Sequence, residues 1–154
     1  MGIRIFQDRD SKQVMRLVSD IIINEFHFSL QLEESGLDSD LLHIEQHYNK
    51  TGGCFWVAID GDKLVGTTGV RKLTRTTCEL KRMYVLEQNR RLGIGQEMLE
   101  AAIKFARSAG YSRMVLDSSK WLIAARSLYL KNGFVDTEKY NNNYRADVFM
   151  QKEL

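Results

Sequence analysis

Residues 90–95, with the sequence RRLGIG, constrain the fold more than any other feature of this 154-residue chain. They lie between an apolar segment typical of a strand, 80–86, and a segment with helical periodicity, 96–109. Two glycines separated by one residue let the backbone approach an anion closely, and the first amides of the following helix point outward as donors. The two arginines add charges suited to phosphate oxygens. The pattern predicts a strand, an anion cradle and a helix, and therefore a phosphorylated cofactor.

Length and composition favour one globular domain over residues 1–154, because 44% hydrophobic and 27% charged residues suffice for one sizeable core. The net charge of +2 gives no general electrostatic footprint for nucleic acid or an anionic membrane, so any anion site must be local. The chain has no apolar run of 18 residues and no apolar leader, so we expect a cytoplasmic protein. Cys54 and Cys78 lack metal-type spacing, which fits a reducing compartment and predicts no metal.

Helical periodicity is present in four segments of the chain. They are 11–22, 37–48, 96–109 and 120–131. Asp10 or Ser11 can cap the first helix, and Gly110 can stop the third. The region between the first two helices, 28–39, has the least regular pattern. Helices therefore both precede and follow the central part of the chain.

Strand-like periodicity is present in seven segments. They are 3–7, 55–59, 63–73, 76–86, 111–116, 134–139 and 145–151. The turn 60–62, with the sequence DGD, joins the second and third of them as a hairpin, so an antiparallel meander is expected in the middle of the chain. Strands alternate with helices towards the end. The whole pattern predicts a single mixed α/β sheet.

Three motifs occur in an order that resembles the Gcn5-related N-acetyltransferase (GNAT) family. Arg90, Gly93 and Gly95 match the family pattern of Gln or Arg, two residues, Gly, one residue, then Gly or Ala. The preceding strand, 79–85, is similar to the fourth strand of the family, and Tyr129 begins a Tyr-x-x-x-Gly-Phe pattern typical of its last part. The resemblance covers nearly the whole chain.

This resemblance implies the acyl-CoA N-acyltransferase fold, a mostly antiparallel mixed sheet of six to seven strands with about four helices and splayed fourth and fifth strands. It implies acetyl-CoA as the acyl donor. The pyrophosphate would bind the cradle, and the pantetheine arm would bond the unpaired amides and carbonyls of Met83 and Val85 like an added strand. One of these amides can polarise the thioester carbonyl. The implied donor-binding residues are Met83, Tyr84, Val85, Arg90, Arg91, Leu92, Gly93, Ile94, Gly95 and Gln96.

The resemblance also implies an acid and a base. A lysine-like amine, with a pKa of about 10.4, must lose a proton before it can attack at pH 7. Glu79, eleven residues before Arg90, occupies the position of the family's strand glutamate and is the candidate base. Tyr129 occupies the family's position for the acid that protonates the leaving thiolate. Transfer would then be direct, in a ternary complex, without an acyl-enzyme.

Both catalytic candidates have structural alternatives. Glu79 could be a solvated carboxylate that pairs with Arg82 or Lys81. Tyr129 could be a half-buried tyrosine that packs on Leu128 or Phe134, which is compatible with catalysis. Sequence spacing alone does not distinguish these structural roles from the catalytic ones.

Two further chemical sites are disfavoured. His43 and His47 are four residues apart, but the Glu that directly follows the first histidine in a helical zinc motif is absent. Cys78 has no histidine nearby in sequence that could activate it as a nucleophile. We expect all three side chains to be structural.

The acceptor is expected to bind between the first two helices and the last hairpin, where Glu25, Glu33, Glu34 and Tyr140 are candidate contacts. A small primary amine is the predicted acceptor, with neither nucleic acid nor a membrane as partner. A protein amino terminus or lysine is an alternative, as is a non-catalytic acyl-CoA sensor. A closed acceptor pocket would favour the small amine and an open groove the protein. The sequence leaves open whether the protein forms a homodimer.

Overall fold

The computed structural model describes residues 1–154 and contains one mixed sheet of seven strands. The strands are β1 (Gly2–Ile5), β2 (Cys54–Asp60), β3 (Lys63–Lys72), β4 (Thr77–Val85), β5 (Arg113–Ser118), β6 (Val135–Asp136) and β7 (Val148–Glu153). The α-helices are α1 (Ser11–Asp20), α2 (Ile94–Ser108) and α3 (Ile123–Lys131). Across the sheet the strands lie in the order β1-β2-β3-β4-β5-β7-β6. The predicted fold class is confirmed.

β2, β3 and β4 form the predicted antiparallel meander, and β1 pairs antiparallel with β2 at its edge. Gly61 makes the hairpin turn between β2 and β3, where its φ of 61° is a conformation that glycine adopts at little cost. β4 then pairs with β5 in parallel, but only from Thr77 opposite Arg113 to Glu79 opposite Val115. β5 pairs with β7 over its whole length. The two central strands therefore splay apart beyond Glu79, as predicted.

Both faces of the sheet bury apolar side chains. On one face α2 and α3 pack over a cluster that includes Leu99, Met114 and Phe134. On the other face α1 packs over a cluster that includes Val18 and Phe55. α1 continues without a break into a π-helical turn, Ile21–Glu25, which carries the chain to the edge of the splay.

The helix predicted over 37–48 is interrupted in the structure. The chain forms a 3-10 turn at Ser39–Leu42 and a π-helical turn at Glu45–Asn49, and His43 separates them with φ −144° and ψ 57°. The apolar side chains of this segment do turn inward as predicted. They are Leu41, Ile44 and Tyr48.

The irregular start of this segment has a physical cause in two aspartates. Asp38 and Asp40 both bind the guanidinium of Arg82. Side chains two residues apart on an α-helix do not face the same side, so a continuous helix could not bring both carboxylates to one partner. The ion pairs therefore exclude a regular α-helix at the start of this segment.

The last two strands are shorter or later than predicted. β6 has two residues instead of the six of 134–139, although the Thr137 amide adds one more bond to Phe149 O at 2.8 Å. β7 begins three residues after the predicted start at Arg145. Arg145 lies outside the strand because its side chain turns inward to bind Asp38.

Candidate active site

A cleft of about 750 Å³ opens where β4 and β5 separate. It extends from the first turn of α2, along the end of β4, to the loops around residues 28–37 and 143–146. Phe26 borders it, and the centroid of its ring lies 5.9 Å from that of Tyr84 and 4.9 Å from that of Trp121, both in edge-on contacts. Of the residues predicted to bind the donor, all except Leu92 border this cleft.

A β-bulge in β4 shapes the wall of the cleft. Arg82 has a φ of 55°, and the register with β3 shifts between Thr67 opposite Tyr84 and Gly69 opposite Lys81. After the bulge, the Leu86 amide donates to Val65 O of β3 at 2.9 Å. Backbone groups alternate along a strand, so those of residues 83 and 85 face the side where β5 has left the sheet. The bulge and the splay thus expose the edge of β4.

The cradle is a row of unpaired amides before and within the first turn of α2. The six consecutive amides 91–96 donate to no acceptor in the chain. Arg91 and Gly93 have positive φ values of 63° and 85°, which curl the backbone round the start of the helix. A Cβ placed on Gly93 would meet nothing within 4 Å. Unpaired donors and the positive end of a helix are features that suit an anion.

The two arginines of the cradle differ in their partners. Arg90 donates from Nε to Val85 O at 2.8 Å and from Nη2 to both carboxylate oxygens of Glu25 at 2.9 and 2.8 Å. The guanidinium of Arg90 is therefore already hydrogen-bonded within the chain, along the edge of β4. Arg91 is exposed and has no acidic partner. Of the two side chains, Arg91 is the one whose charge is available to a phosphate.

Glu79 is fully buried and does not border the cleft. Arg71, directly opposite it on β3, donates to one carboxylate oxygen at 2.7 Å, and the Tyr140 hydroxyl donates to the other. The predicted alternative, a solvated carboxylate that pairs with Arg82 or Lys81, is wrong. Both oxygens of Glu79 already accept hydrogen bonds, and Tyr140 lies at one of them.

Tyr129 borders the cleft from α3 and is 6% exposed. Its ring packs edge-on against Phe134 at 5.8 Å, as the structural alternative predicted. Its hydroxyl has no hydrogen-bond partner in the chain. Burial, with smaller contributions from Tyr84 and Asp117, raises the pKa of Tyr129, so the phenol keeps its proton. A protonated, unengaged hydroxyl therefore faces the cleft.

A buried ionic network surrounds Arg82, the residue at the bulge. Arg82 donates to Asp40 from Nε at 3.0 Å and to Asp38 from Nη1 at 3.2 Å. Arg145 donates to both oxygens of Asp38 at 2.9 Å, and the Tyr48 hydroxyl donates to Asp40. Sequence patterns do not predict this network, because its members lie far apart in the chain.

Acid should destabilise the protein through Asp38 and Asp40. Burial raises the pKa of both carboxyls, but the hydrogen bonds and charges of Arg145 and Arg82 outweigh it, so both pKa values lie below the usual value. A carboxyl whose pKa is lowered by folding stabilises the folded state above its unfolded pKa, about 3.9, and this stability is lost as the pH falls through the folded pKa. We expect the free energy of unfolding, measured with urea, to fall between about pH 5 and pH 2.

The variant Asp38→Asn isolates this contribution. It should be less stable than the wild type at pH 7 and should lose less stability on acidification, so the two curves converge at low pH. Parallel curves would show that Asp38 does not carry the pH dependence.

The remaining candidates have ordinary surroundings. His43 and His47 are exposed, and the structure contains no group of three or more His, Cys, Asp or Glu side chains that could hold a metal ion. Burial raises the pKa of Cys78 to about 12, which keeps it a thiol near pH 7. Glu33 and Glu34 are exposed and do not border the cleft. No helix of this structure is both long enough and apolar enough to cross a membrane.

Comparison with known sequences gives consistent matches. A profile described as the Acetyltransferase (GNAT) family matches residues 19–134. Human N-acetyltransferase 8B is 35% identical over 107 residues, which are 66% of this chain and 47% of that protein. This chain thus spans about half the length of the first curated relatives that it matches.

Comparison with solved structures shows the same fold. An acetyltransferase of the GNAT family from Staphylococcus aureus Mu50 superposes with a TM-score of 0.90 at 24% identity, over 99% of this chain and 98% of that one. The PaiA N-acetyltransferase of Thermoplasma acidophilum, crystallised in complex with coenzyme A, has a TM-score of 0.78 at 18% identity, with 99% and 98% coverage.

Proposed function

Because the chain belongs to the GNAT acetyltransferase family, we propose that it transfers the acetyl group of acetyl-CoA to the primary amine of a small molecule. The observation that carries this proposal is the row of unpaired amides 91–96 beside the exposed edge of β4. In one cleft, the unpaired amides suit the pyrophosphate of acetyl-CoA and the open strand edge suits its pantetheine arm. All seven strands lie in one sheet, which supports one catalytic domain over residues 1–154.

Two parts of the cleft would hold acetyl-CoA. The amides 91–96, the positive end of α2 and the exposed guanidinium of Arg91 suit the pyrophosphate. The backbone groups of Met83 and Val85 that face β5 suit the pantetheine amides, although Arg90 shares Val85 O. The similar fold of PaiA, which was crystallised with coenzyme A, supports this arrangement.

Direct attack by the amine requires a fixed donor for the carbonyl oxygen and an acid for the sulfur. A backbone amide of Met83 or Val85 can stabilise the charge that develops on the oxygen, because it is held in place before the reaction. The Tyr129 hydroxyl can protonate the leaving thiolate. Glu79, the base predicted from the sequence, is buried outside the cleft, and Tyr140, which donates to it, does not border the cleft either.

The variant Tyr129→Phe should lower kcat by about 10²-fold and leave the Kd for coenzyme A unchanged. The hydroxyl has no partner in the chain, so its removal keeps the packing against Phe134 and deletes only the proton donor. Thiol release measures turnover, and calorimetry measures affinity.

Tyr111→Phe is the matched control, since the Tyr111 hydroxyl donates to Gly52 O outside the cleft. We expect this control to keep its kcat. Wild-type kcat in the Tyr129→Phe variant would remove Tyr129 from the reaction.

The acceptor end of the cleft favours a compact amine. Arg145 joins one loop to Asp38 of the other through two hydrogen bonds of 2.9 Å. Gln31 and Tyr144 add a side-chain hydrogen bond between the same loops, and Phe28 packs edge-on against Tyr144 at 6.3 Å. Loops tied together at several points narrow the space that an extended peptide would need.

An amine panel tests the proposal directly. Wild-type protein, acetyl-CoA and a thiol reagent would be combined with amino acids, polyamines, amino sugars and a peptide that has a free amino terminus and a lysine. We expect turnover with at least one small amine and little with the peptide. Preference for the peptide would show a protein acetyltransferase. Acetyl-CoA binding without turnover of any amine would support a sensor instead.

A further inference from the structure

Two carboxylates border the cleft, and only one of them lacks a cationic partner. Glu25 is paired with Arg90 at 2.8 Å. Asp117, near the end of β5, forms no salt bridge. The charged residues that otherwise border the cleft are cations. They are Lys81, Arg82, Arg90, Arg91 and Arg145. Asp117 is therefore the one uncompensated negative charge in a cleft that must accept a positively charged amine.

Hydrogen bonds from the chain reach only one of the two carboxylate oxygens of Asp117. Asn141 and Asn143 donate their amides to Oδ2 at 2.7 and 3.3 Å. Oδ1 accepts no hydrogen bond from the chain. Amide donors on one oxygen fix the orientation of a carboxylate without neutralising its charge. Asp117 is thus positioned to accept one further donor.

The place of Asp117 in the sheet brings it to the splay. It lies two residues beyond Val115, the last residue of β5 that pairs with β4. On its other side it pairs with Phe149 of β7, which fixes the backbone. Side chains alternate along a strand, so Asp117 lies on the same face as Val115. The carboxylate is therefore held at the point where the two central strands separate.

Asp117 also lies near both tyrosines that concern the reaction. After burial, the charge of Asp117 is among the causes that raise the pKa of Tyr129 and of Tyr140. The Tyr140 hydroxyl is already engaged, because it donates to Glu79. The candidate acid and the only unpaired carboxylate thus border one cleft.

We propose that Asp117 binds the acceptor ammonium and takes its first proton, a role that rests on the proposed function. An N–H bond of the ammonium breaks as an O–H bond forms on Oδ1, and the freed lone pair forms the N–C bond to the acetyl carbonyl. The C–S bond breaks, and the thiolate takes a proton from Tyr129. Tyr129 regains a proton from the nitrogen as it becomes an amide, and Asp117 releases its proton to solvent.

The variant Asp117→Asn tests this role because it keeps the shape and removes the charge. With the best amine of the panel, kcat/KM should fall about 10²-fold at pH 7, whereas the Kd for coenzyme A should change less than twofold. The deficit should shrink towards pH 9.5, because the neutral fraction of a free amine with a pKa of about 10.4 rises by more than about a hundredfold between pH 7 and pH 9.5. Burial raises the pKa values of Tyr129 and Tyr140, so both keep their protons over this range, and the remaining neighbours, Glu79 and Arg71, are paired with each other.

Two further variants make the result decisive. Asp136→Asn removes an exposed carboxylate that pairs with Arg126 outside the cleft and should keep the wild-type kcat/KM at every pH. Asp117→Ala should regain part of its lost rate with added sodium formate, because a small carboxylate can occupy the space of the missing side chain. Rescue by formate would confirm that the lost group is a base and not a structural contact.

The inference and the proposed function fail in different ways. An Asp117→Asn enzyme within threefold of the wild type, or with the same deficit at pH 7 and pH 9.5, would overturn the role of Asp117 and return the base to Glu79. A wild-type protein that acetylates none of the amines would refute the proposed function, and the role of Asp117 with it.

Discussion

Replacing Arg82 with methionine is expected to lower the free energy of unfolding by about 3–5 kcal/mol. The guanidinium is 5% exposed and donates to Asp38, Asp40 and the carbonyl of Leu37. Methionine fills much of the same space but leaves the buried charge of Asp40 with a hydroxyl as its only partner, that of Tyr48. Removing one member of a buried ion pair is costly because the other charge stays buried and uncompensated.

Urea denaturation at pH 7 measures this loss, and Arg126→Met is the matched control. Arg126 pairs with Asp136 at 2.8 Å, but both side chains are exposed, so we expect a change of less than about 1 kcal/mol. The double variant Arg82→Met with Asp40→Asn should recover part of the loss, since it no longer buries a lone carboxylate. Equal losses for Arg82→Met and Arg126→Met would show that the network is not a buried one in solution.

The features that the sequence predicted well are those that neighbouring residues determine. The order of the strands along the chain, the hairpin at Gly61 and the start of α2 follow from periodicity and turn residues within short windows. The cradle belongs to the same group, because the positive φ of Gly93 and the unpaired amides need only a glycine and a helix start. Short sequence windows were therefore enough to predict the backbone geometry of the cradle.

The bulge in β4 is visible in the sequence as a change in the spacing of its apolar residues. Cys78 and Leu80 face the α2 side of the sheet, and so do Met83 and Val85. The apolar spacing therefore changes from two residues to three between Leu80 and Met83. In a strand, such a step indicates one inserted residue. After it, the side chains that face a given side of the sheet change from even-numbered to odd-numbered positions. Spacing alone could have located the bulge.

The ionic partners were not predictable in the same way. Arg82 binds Asp38 and Asp40, more than forty residues earlier, and Glu79 binds Arg71 across the sheet. Long charged side chains choose partners by where the fold brings them, so sequence neighbours of Glu79 were the wrong candidates. Asp117 was missed for a related reason, since its importance depends on which carboxylates of the cleft are already paired.

Replacing Gly93 with glutamate should weaken coenzyme A binding by at least about 10²-fold, a loss of about 2.8 kcal/mol or more, while the protein stays folded. Gly93 borders the cleft in the middle of the amides 91–96, and space for a side chain is open, since a Cβ there meets nothing within 4 Å. The new carboxylate would stand among donors that suit a pyrophosphate and would repel it. Its cost to the fold is limited to the positive φ of 85°, about 1–2 kcal/mol for a residue with a Cβ. Calorimetry with coenzyme A measures the affinity.

Two variants separate repulsion in the cradle from backbone strain. Gly61→Glu introduces the same side chain at a φ of 61°, also with nothing within 4 Å of its Cβ, but in the hairpin turn outside the cleft. It should lose similar stability and keep full affinity. Gly93→Ala carries the strain without the charge and should lose less than about tenfold in affinity. If Gly93→Glu binds coenzyme A as tightly as Gly61→Glu, the amides 91–96 are not the pyrophosphate site, because an anion held there could not tolerate a carboxylate among its donors.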